Sequence, residues 1–103
     1  MTTSPRMTGP TLKVLGQLME ARSEGLSGAD ISKAIGIASG TLYPILFRLE
    51  RAGWLSSDWE DIDASEMGRP RKRLYRMTSI GALEGRAAFN DILQGKGGLA
   101  WQS

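Results

Sequence analysis

Neither cysteine nor histidine occurs in this chain. Without cysteine there can be no disulfide and no thiolate ligand for a metal. Without histidine the commonest general base and the commonest zinc ligand are missing, and so is any Ser-His or Cys-His nucleophile pair. No pair of carboxylates stands in an apolar context that would tune one of them as an acid. The expectation is therefore a protein that is not an enzyme and carries no metal and no cofactor. Long apolar runs are lacking as well. None approaches the length that crosses a bilayer, and Met1 to Pro10 has no apolar stretch of a secretory signal. This predicts a cytoplasmic protein with no membrane partner. Excess charge of one sign is also scarce, at net +2 over 103 residues. The distribution of charge thus says more about a nucleic-acid partner than its total does.

What is present fits one globular domain, with 41% hydrophobic and 23% charged residues. A chain this short buries a modest core, and a helix left over at one end would seek a second subunit. Residues 1–10 are polar, with Thr, Ser, Pro and Gly, and read as a mobile arm. From Thr11 to Arg22, Leu12, Leu15, Leu18 and Met19 form one stripe of an amphipathic helix that Gly25 can stop. Ser27 suits a helix N-cap, with Asp30 in the first turn, and Ile31, Ala34 and Ile35 would face inward before Gly36 interrupts. After a tight turn, Ser39 can cap a third helix. Leu42, Ile45, Leu46 and Leu49 follow the i, i+3, i+4, i+7 pattern of its buried side. Pro44 lies close enough to the start to be tolerated.

The periodicity then changes to alternation. Leu55, Ser57 and Trp59 share one side of an extended segment, and a polar stretch from Glu60 to Pro70 leads to a second one, Arg71 to Met77. Thr78 caps a last helix, and Gly95, Gly97 and Gly98 break it. The order of elements predicts a mainly α protein with a β-hairpin, a winged helix-turn-helix of three helices, a two-stranded wing and a C-terminal dimerisation helix. The expected divisions are an arm (1–10), the winged helix-turn-helix (11–77), the dimerisation helix (78–94) and a flexible tail (95–103).

Three features carry functional expectations. The start of the third helix offers Ser39, Gly40, Thr41 and Tyr43, with Arg48 further along. In a helix-turn-helix this end enters the major groove, where backbone N–H groups, hydroxyls and a close backbone approach suit phosphates and base edges. Ser39 and Thr41 read equally as local caps, with Tyr43 lying on the surface. The second feature is a basic run containing Arg69, Arg71, Lys72, Arg73 and Arg76, set one hairpin from that helix and suited to the minor groove or the backbone. Immediately upstream stand Asp58, Glu60, Asp61, Asp63 and Glu66. That acidic segment projects from DNA, pairs with the basic strand, or holds a hard cation. The third is the last helix. Its apolar surface, with Leu83, Phe89, Ile92 and Leu93, exceeds what a small domain covers and predicts a homodimer interface shared with Leu12 and Leu15 of the first helix. Otherwise the first helix and the tail, with Leu99 and Trp101, cover it within one subunit. Double-stranded DNA is the expected partner. The competing expectation is a winged-helix protein-interaction module with weak DNA binding or none.

The stretch Ser39-Gly40-Thr41-Leu42-Tyr43-Pro44-Ile45-Leu46 resembles the reading-helix motif of the PadR family of transcription regulators. Arg48-Leu49-Glu50, Gly53-Trp54-Leu55, Gly68-Arg69-Pro70-Arg71-Lys72 and Tyr75-Arg76-Met77-Thr78 with Gly81 resemble its continuation through the wing into the last helix. The resemblance runs from about Leu12 to Phe89. It implies a dimeric winged-helix repressor on a pseudo-palindromic operator, with Ser39, Thr41 and Tyr43 facing DNA and Arg69 to Arg73 as the wing contact. It also implies that short members dimerise through their first and last helices. Some are released from DNA by a small apolar or aromatic effector held between subunits. Two departures stand out: the region after Leu93 is short and glycine-rich, and Ile92 stands where some ligand-responsive members carry an aromatic residue.

Overall fold

The computed structural model describes residue 5 and residues 7–95. Helix α1 (Gly9–Ala21) opens inside the segment expected to be an arm. Thr8 caps it by accepting the Thr11 N–H, and Pro10 stands in the first turn, where a missing N–H costs nothing. A single 3₁₀ turn (Arg22–Glu24) follows, and Gly25 turns the chain at φ 75°. The next two residues form β1 (Leu26–Ser27), a strand too short to show alternation in the sequence.

Helix α2 (Gly28–Ile35) begins on a reciprocal cap. The Ser27 hydroxyl accepts from the Asp30 N–H, and the Asp30 carboxylate accepts from the Ser27 N–H. Ile31 is buried, but Ala34 faces outward, so α2 buries a narrower stripe than expected. Gly36, left-handed at φ 67°, ends it, and the Ser32 hydroxyl ties the turn by donating to the Ile37 carbonyl. Helix α3 (Ser39–Arg51) then starts one residue earlier than a Ser39 cap would allow. Ala38 is the cap and no side chain serves it, because Ser39 is already helical. Pro44 stands inside α3 and not at its edge. Its ring offers no N–H to the carbonyl four residues back, that of Gly40.

Strands β2 (Leu55–Trp59) and β3 (Arg73–Met77) pair antiparallel, with Ser57 opposite Tyr75 and Trp59 opposite Arg73. Strand β3 starts two residues later than the expected segment. It also pairs with β1, Leu26 opposite Tyr75, so the sheet has three strands in the order β1-β3-β2, one more than expected. The polar stretch between β2 and β3 contains one short helix, α4 (Ala64–Met67), capped by the Asp63 carboxylate.

Helix α5 (Ser79–Leu93) starts on Thr78, whose hydroxyl accepts the Gly81 N–H and donates to the Gly53 carbonyl. The Thr78 N–H donates to the Trp54 carbonyl at 2.9 Å. A Cβ on Gly81 would collide with that same Trp54 carbonyl, which explains a glycine in the first turn. The core joins Val14, Leu15 and Leu18 of α1, Ile31 of α2, the four expected residues of α3, and Trp54, Leu55 and Tyr75. Leu15, expected at a subunit interface, is fully buried in its own core, because α1 turns that stripe toward α2, α3 and the sheet. The chain is thus a mainly helical winged helix-turn-helix with a small antiparallel sheet. Among the described residues, no helix is long and apolar enough to cross a membrane.

Candidate nucleic-acid interface

The four buried residues of α3 occupy one side of the helix and leave the other in solvent. Ser39, Gly40, Thr41 and Arg48 are exposed, and Tyr43 is half exposed. The Tyr43 ring lies against Gly28 at the start of α2, where a Cβ would occupy the place of the phenol. This close approach of the two helices needs a glycine, a requirement the sequence reading had not assigned to position 28.

The β2-loop-β3 wing brings its basic run alongside. Ser39 and Tyr43 of α3, Lys33 of α2 and Lys72 line one shallow concavity of about 370 Å³. Arg73 and Tyr75 line an adjoining one with Tyr43. A Ser57 bridge joins the helix to the wing. Its hydroxyl donates to Glu50 of α3 at 2.7 Å and accepts from Arg73 Nε at 3.0 Å. Arg73 also stacks over the Trp59 ring, with Cζ 5.6 Å from its centre.

Within the wing, cations and carboxylates are matched. Arg69 grips Glu60 with two hydrogen bonds, at 2.7 and 2.9 Å. The Glu60 N–H donates to the Lys72 carbonyl, and the Lys72 N–H donates to the Glu60 carboxylate. The Arg69 hydrogen bond, helped by the Lys72 N–H and both positive charges, lowers the Glu60 carboxyl from 4.5 to about 2 against a smaller desolvation effect. Arg76 pairs with Asp58 at 2.5 Å and donates to the Ser23 carbonyl. Asp63 spends its carboxylate on the Ser65 and Glu66 N–H groups. Two carboxylates of the acidic segment, Asp58 and Glu60, thus pair with arginines of the basic run. Arg71 Nε donates to the Ile62 carbonyl while the residue stays exposed. The Lys72 ammonium lies 3.9 Å from Asp30.

The expected interface residues of the terminal helices divide into two groups. Leu83 and Leu93 of α5 are 71% and 83% exposed. Leu12, Phe89 and Ile92 are half-buried, and Phe89 packs against the core beside Gly16. Trp54 belongs to the core, and Trp59 lies exposed on the wing. Leu99 and Trp101 fall outside the described residues. The sequence reading missed Phe47 and Arg51. Phe47 is 60% exposed on α3, and Arg51 lies over its ring with Cζ 5.7 Å from the centre. Phe47 stands four residues after Tyr43 and Arg51 four after Phe47, and that spacing was the available signal.

The fold recurs in solved regulators. The S. aureus MepR-DNA complex matches with a TM-score of 0.67 and 24% identity, covering 86% of this chain and 66% of that one. The PcaV transcriptional regulator from Streptomyces coelicolor, in complex with its natural ligand, matches at 0.64 and 23%, over 91% of this chain and 65% of that one. Reduced MarR from E. coli matches at 0.67 and 22%, over 85% and 59%. The chain thus spans less than two thirds of the length of these regulators, and likenesses at these identities establish the fold. No curated protein sequence matches. The transcriptional regulator PadR-like family matches residues 15–87, a block that runs from α1 through the wing into α5. The chain belongs to the PadR-like family of transcriptional regulators.

Proposed function

We propose that this protein binds double-stranded DNA as a cytoplasmic homodimer and represses transcription from a pseudo-palindromic operator. The observation that carries this reading is the concave surface where the start of α3 meets the wing. Ser39 and Tyr43 line it together with Lys33 and Lys72, and with Asp30, whose carboxylate lies 3.9 Å from the Lys72 ammonium. Such a surface suits a phosphodiester, with the α3 N-terminus in the major groove and Thr41 and Tyr43 reaching inward. Arg48 takes a second phosphate. Arg71, Lys72 and Arg73 follow the backbone or minor groove beside the wing. The MepR complex with DNA is a member of the same fold engaged with this partner.

Two exposed leucines of α5 support the dimer. Leu83 and Leu93 project into solvent about 80° apart around the helix, and a second copy of α5 across a two-fold axis would cover them. Two reading helices then face half-sites about one helical turn, ~34–36 Å, apart. A cleft supports an effector as well. It holds about 670 Å³ between α1, the sheet and α5, and Leu18, Met19 and Met77 line it together with Arg22, Arg76 and Arg86. A small apolar or aromatic compound bound there would shift α5 against the reading helix and release DNA.

The test is binding of the purified protein to duplex from its own promoter region across a salt series, with the mass of the complex followed in parallel. The expected outcome is saturable binding of one dimer, with affinity falling steeply as salt rises because phosphate counterions are displaced. A flat salt response, or no preference over random duplex, would overturn the reading and leave the protein-interaction module.

A further inference from the structure

The centre of the outward face of α3 carries two exposed apolar side chains, Pro44 and Phe47, with Arg51 one turn beyond, and the hydroxyl-bearing residues of the motif stand on its flanks. At ~100° per residue, Gly40, Pro44, Phe47 and Arg51 lie within about 30° of the line opposite the buried row, while Tyr43 and Thr41 lie roughly 70–90° to either side. Gly40 and Pro44 are exposed, and Phe47 is 60% exposed. A large aromatic ring left mostly in solvent adds little burial to the fold of the monomer. Arg51 stacks over that ring, which limits the ring's rotamers and holds a guanidinium beside it. Arg48 is exposed on the same side, and Glu50 accepts a hydrogen bond from Ser57. The patch is therefore a ring and a pyrrolidine edged by cations, with charge complementary to a polyanion.

The geometry points to Phe47, with Pro44 beside it, as a specificity-determining surface that reads thymine through its C5 methyl group, while Arg51 holds the ring in place. This rests on the proposed DNA binding and deepens it. The major groove displays one apolar group, the thymine methyl, and an aromatic side chain is a recognised match for it. Neither Gly40 nor Pro44 offers a polar side chain for a hydrogen-bonding readout at the centre of this face, and the one donor there, the Arg51 guanidinium, lies over the Phe47 ring.

The experiment begins with duplexes selected by the wild-type protein from a random-sequence pool. Each thymine of the selected site is then replaced singly by deoxyuridine, which lacks only the methyl group. The wild-type protein is expected to lose about fourfold in affinity at one or two thymines per half-site, the effect of one buried methyl. Phe47→Ala should bind all these duplexes more weakly and no longer distinguish thymine from deoxyuridine there. Phe47→Leu should keep part of the discrimination. Alanine is the best helix former, and the side chain is exposed, so Phe47→Ala should melt near the wild-type temperature. Wild-type binding that is indifferent to every replacement, or Phe47→Ala with unchanged discrimination, would overturn the assignment while leaving DNA binding intact. A changed dimer mass in Phe47→Ala with unchanged base preference would overturn it too and assign the ring to a subunit contact. Absence of any duplex selection by the wild-type protein would overturn the underlying DNA-binding reading as well.

Discussion

Among the described residues, Arg48 and Arg51 on α3 enter no salt bridge, whereas in the wing Arg69 and Arg76 are each held by a carboxylate. The two regions would meet the same nucleic acid with different resources. The helix offers an open face, apolar in the middle, with hydroxyls and guanidiniums around it. The wing offers a row of cations, part of whose charge is already spent on Glu60 and Asp58. A basic run in a sequence therefore overstates the charge available to a partner when acidic residues fold back on it. The wing gains a fixed shape from these pairs, and with Lys72 facing Asp30 its remaining charge comes mainly from Arg71 and Arg73.

The contrast can be broken most severely from beneath. Leu46 is almost fully buried under the open face of α3. Leu46→Ala should cost about 2–5 kcal/mol through lost burial and a cavity, read by urea denaturation. Binding should fail with the fold. Tyr43→Ala leaves the core alone and removes one hydroxyl from the helix side. Duplex affinity should fall roughly tenfold, the worth of a hydrogen bond to a charged group, with little change in melting temperature. Arg71→Ala, on the wing side, should weaken binding to all sequences alike and lower the salt slope by about 1. Unchanged affinity in both variants would count against this docking.

The smaller effects probe the pairing itself. Glu60→Gln frees Arg69 and removes a negative charge, so duplex binding should strengthen and the salt slope should steepen by about 1. A weaker, shallower response would mean that the Glu60 pair is needed to shape the wing. Acid reaches the same pair. Because the Glu60 carboxyl is lowered from 4.5 to about 2, the contribution of its ion pair is complete above pH 4.5 and disappears as pH falls toward 2. A carboxyl-carbon NMR titration of Glu60 should have its midpoint near 2 in the wild-type protein and move back toward 4.5 in Arg69→Ala. A wild-type midpoint already at 4.5 would contradict the pairing.

Much of this arrangement is legible in the residues. The spacing of Leu42, Ile45, Leu46 and Leu49 shows the buried side of α3 because a helix repeats its faces at fixed intervals. Ser27 with Asp30 and Thr78 with its following turn mark helix starts because caps are local chemistry. What escapes is non-local. Leu15 belongs to an apolar stripe, but a stripe does not say whether its own core or a second subunit covers it. Strand β1 has two residues, and no period is visible in two. Glu60 meets Arg69 because α4 reverses the chain between them, and nothing in the charge pattern specifies that turn. Gly28 and Gly81 are required by what approaches them, the Tyr43 ring and the Trp54 carbonyl. Phe47 belongs to no buried stripe and no charge run, so its spacing of four from Tyr43 and from Arg51 is the one trace it leaves in the sequence.

In the proposed function the open face of α3 and the wing together form one DNA-binding surface. Amide and side-chain NMR shifts, followed while a promoter duplex is added, locate that surface residue by residue. The largest changes are expected at Gly40, Thr41, Tyr43 and Phe47 on the helix and at Arg71 to Arg73 on the wing, with Leu83 and Leu93 little affected. Changes concentrated on α5, with α3 silent, would contradict it.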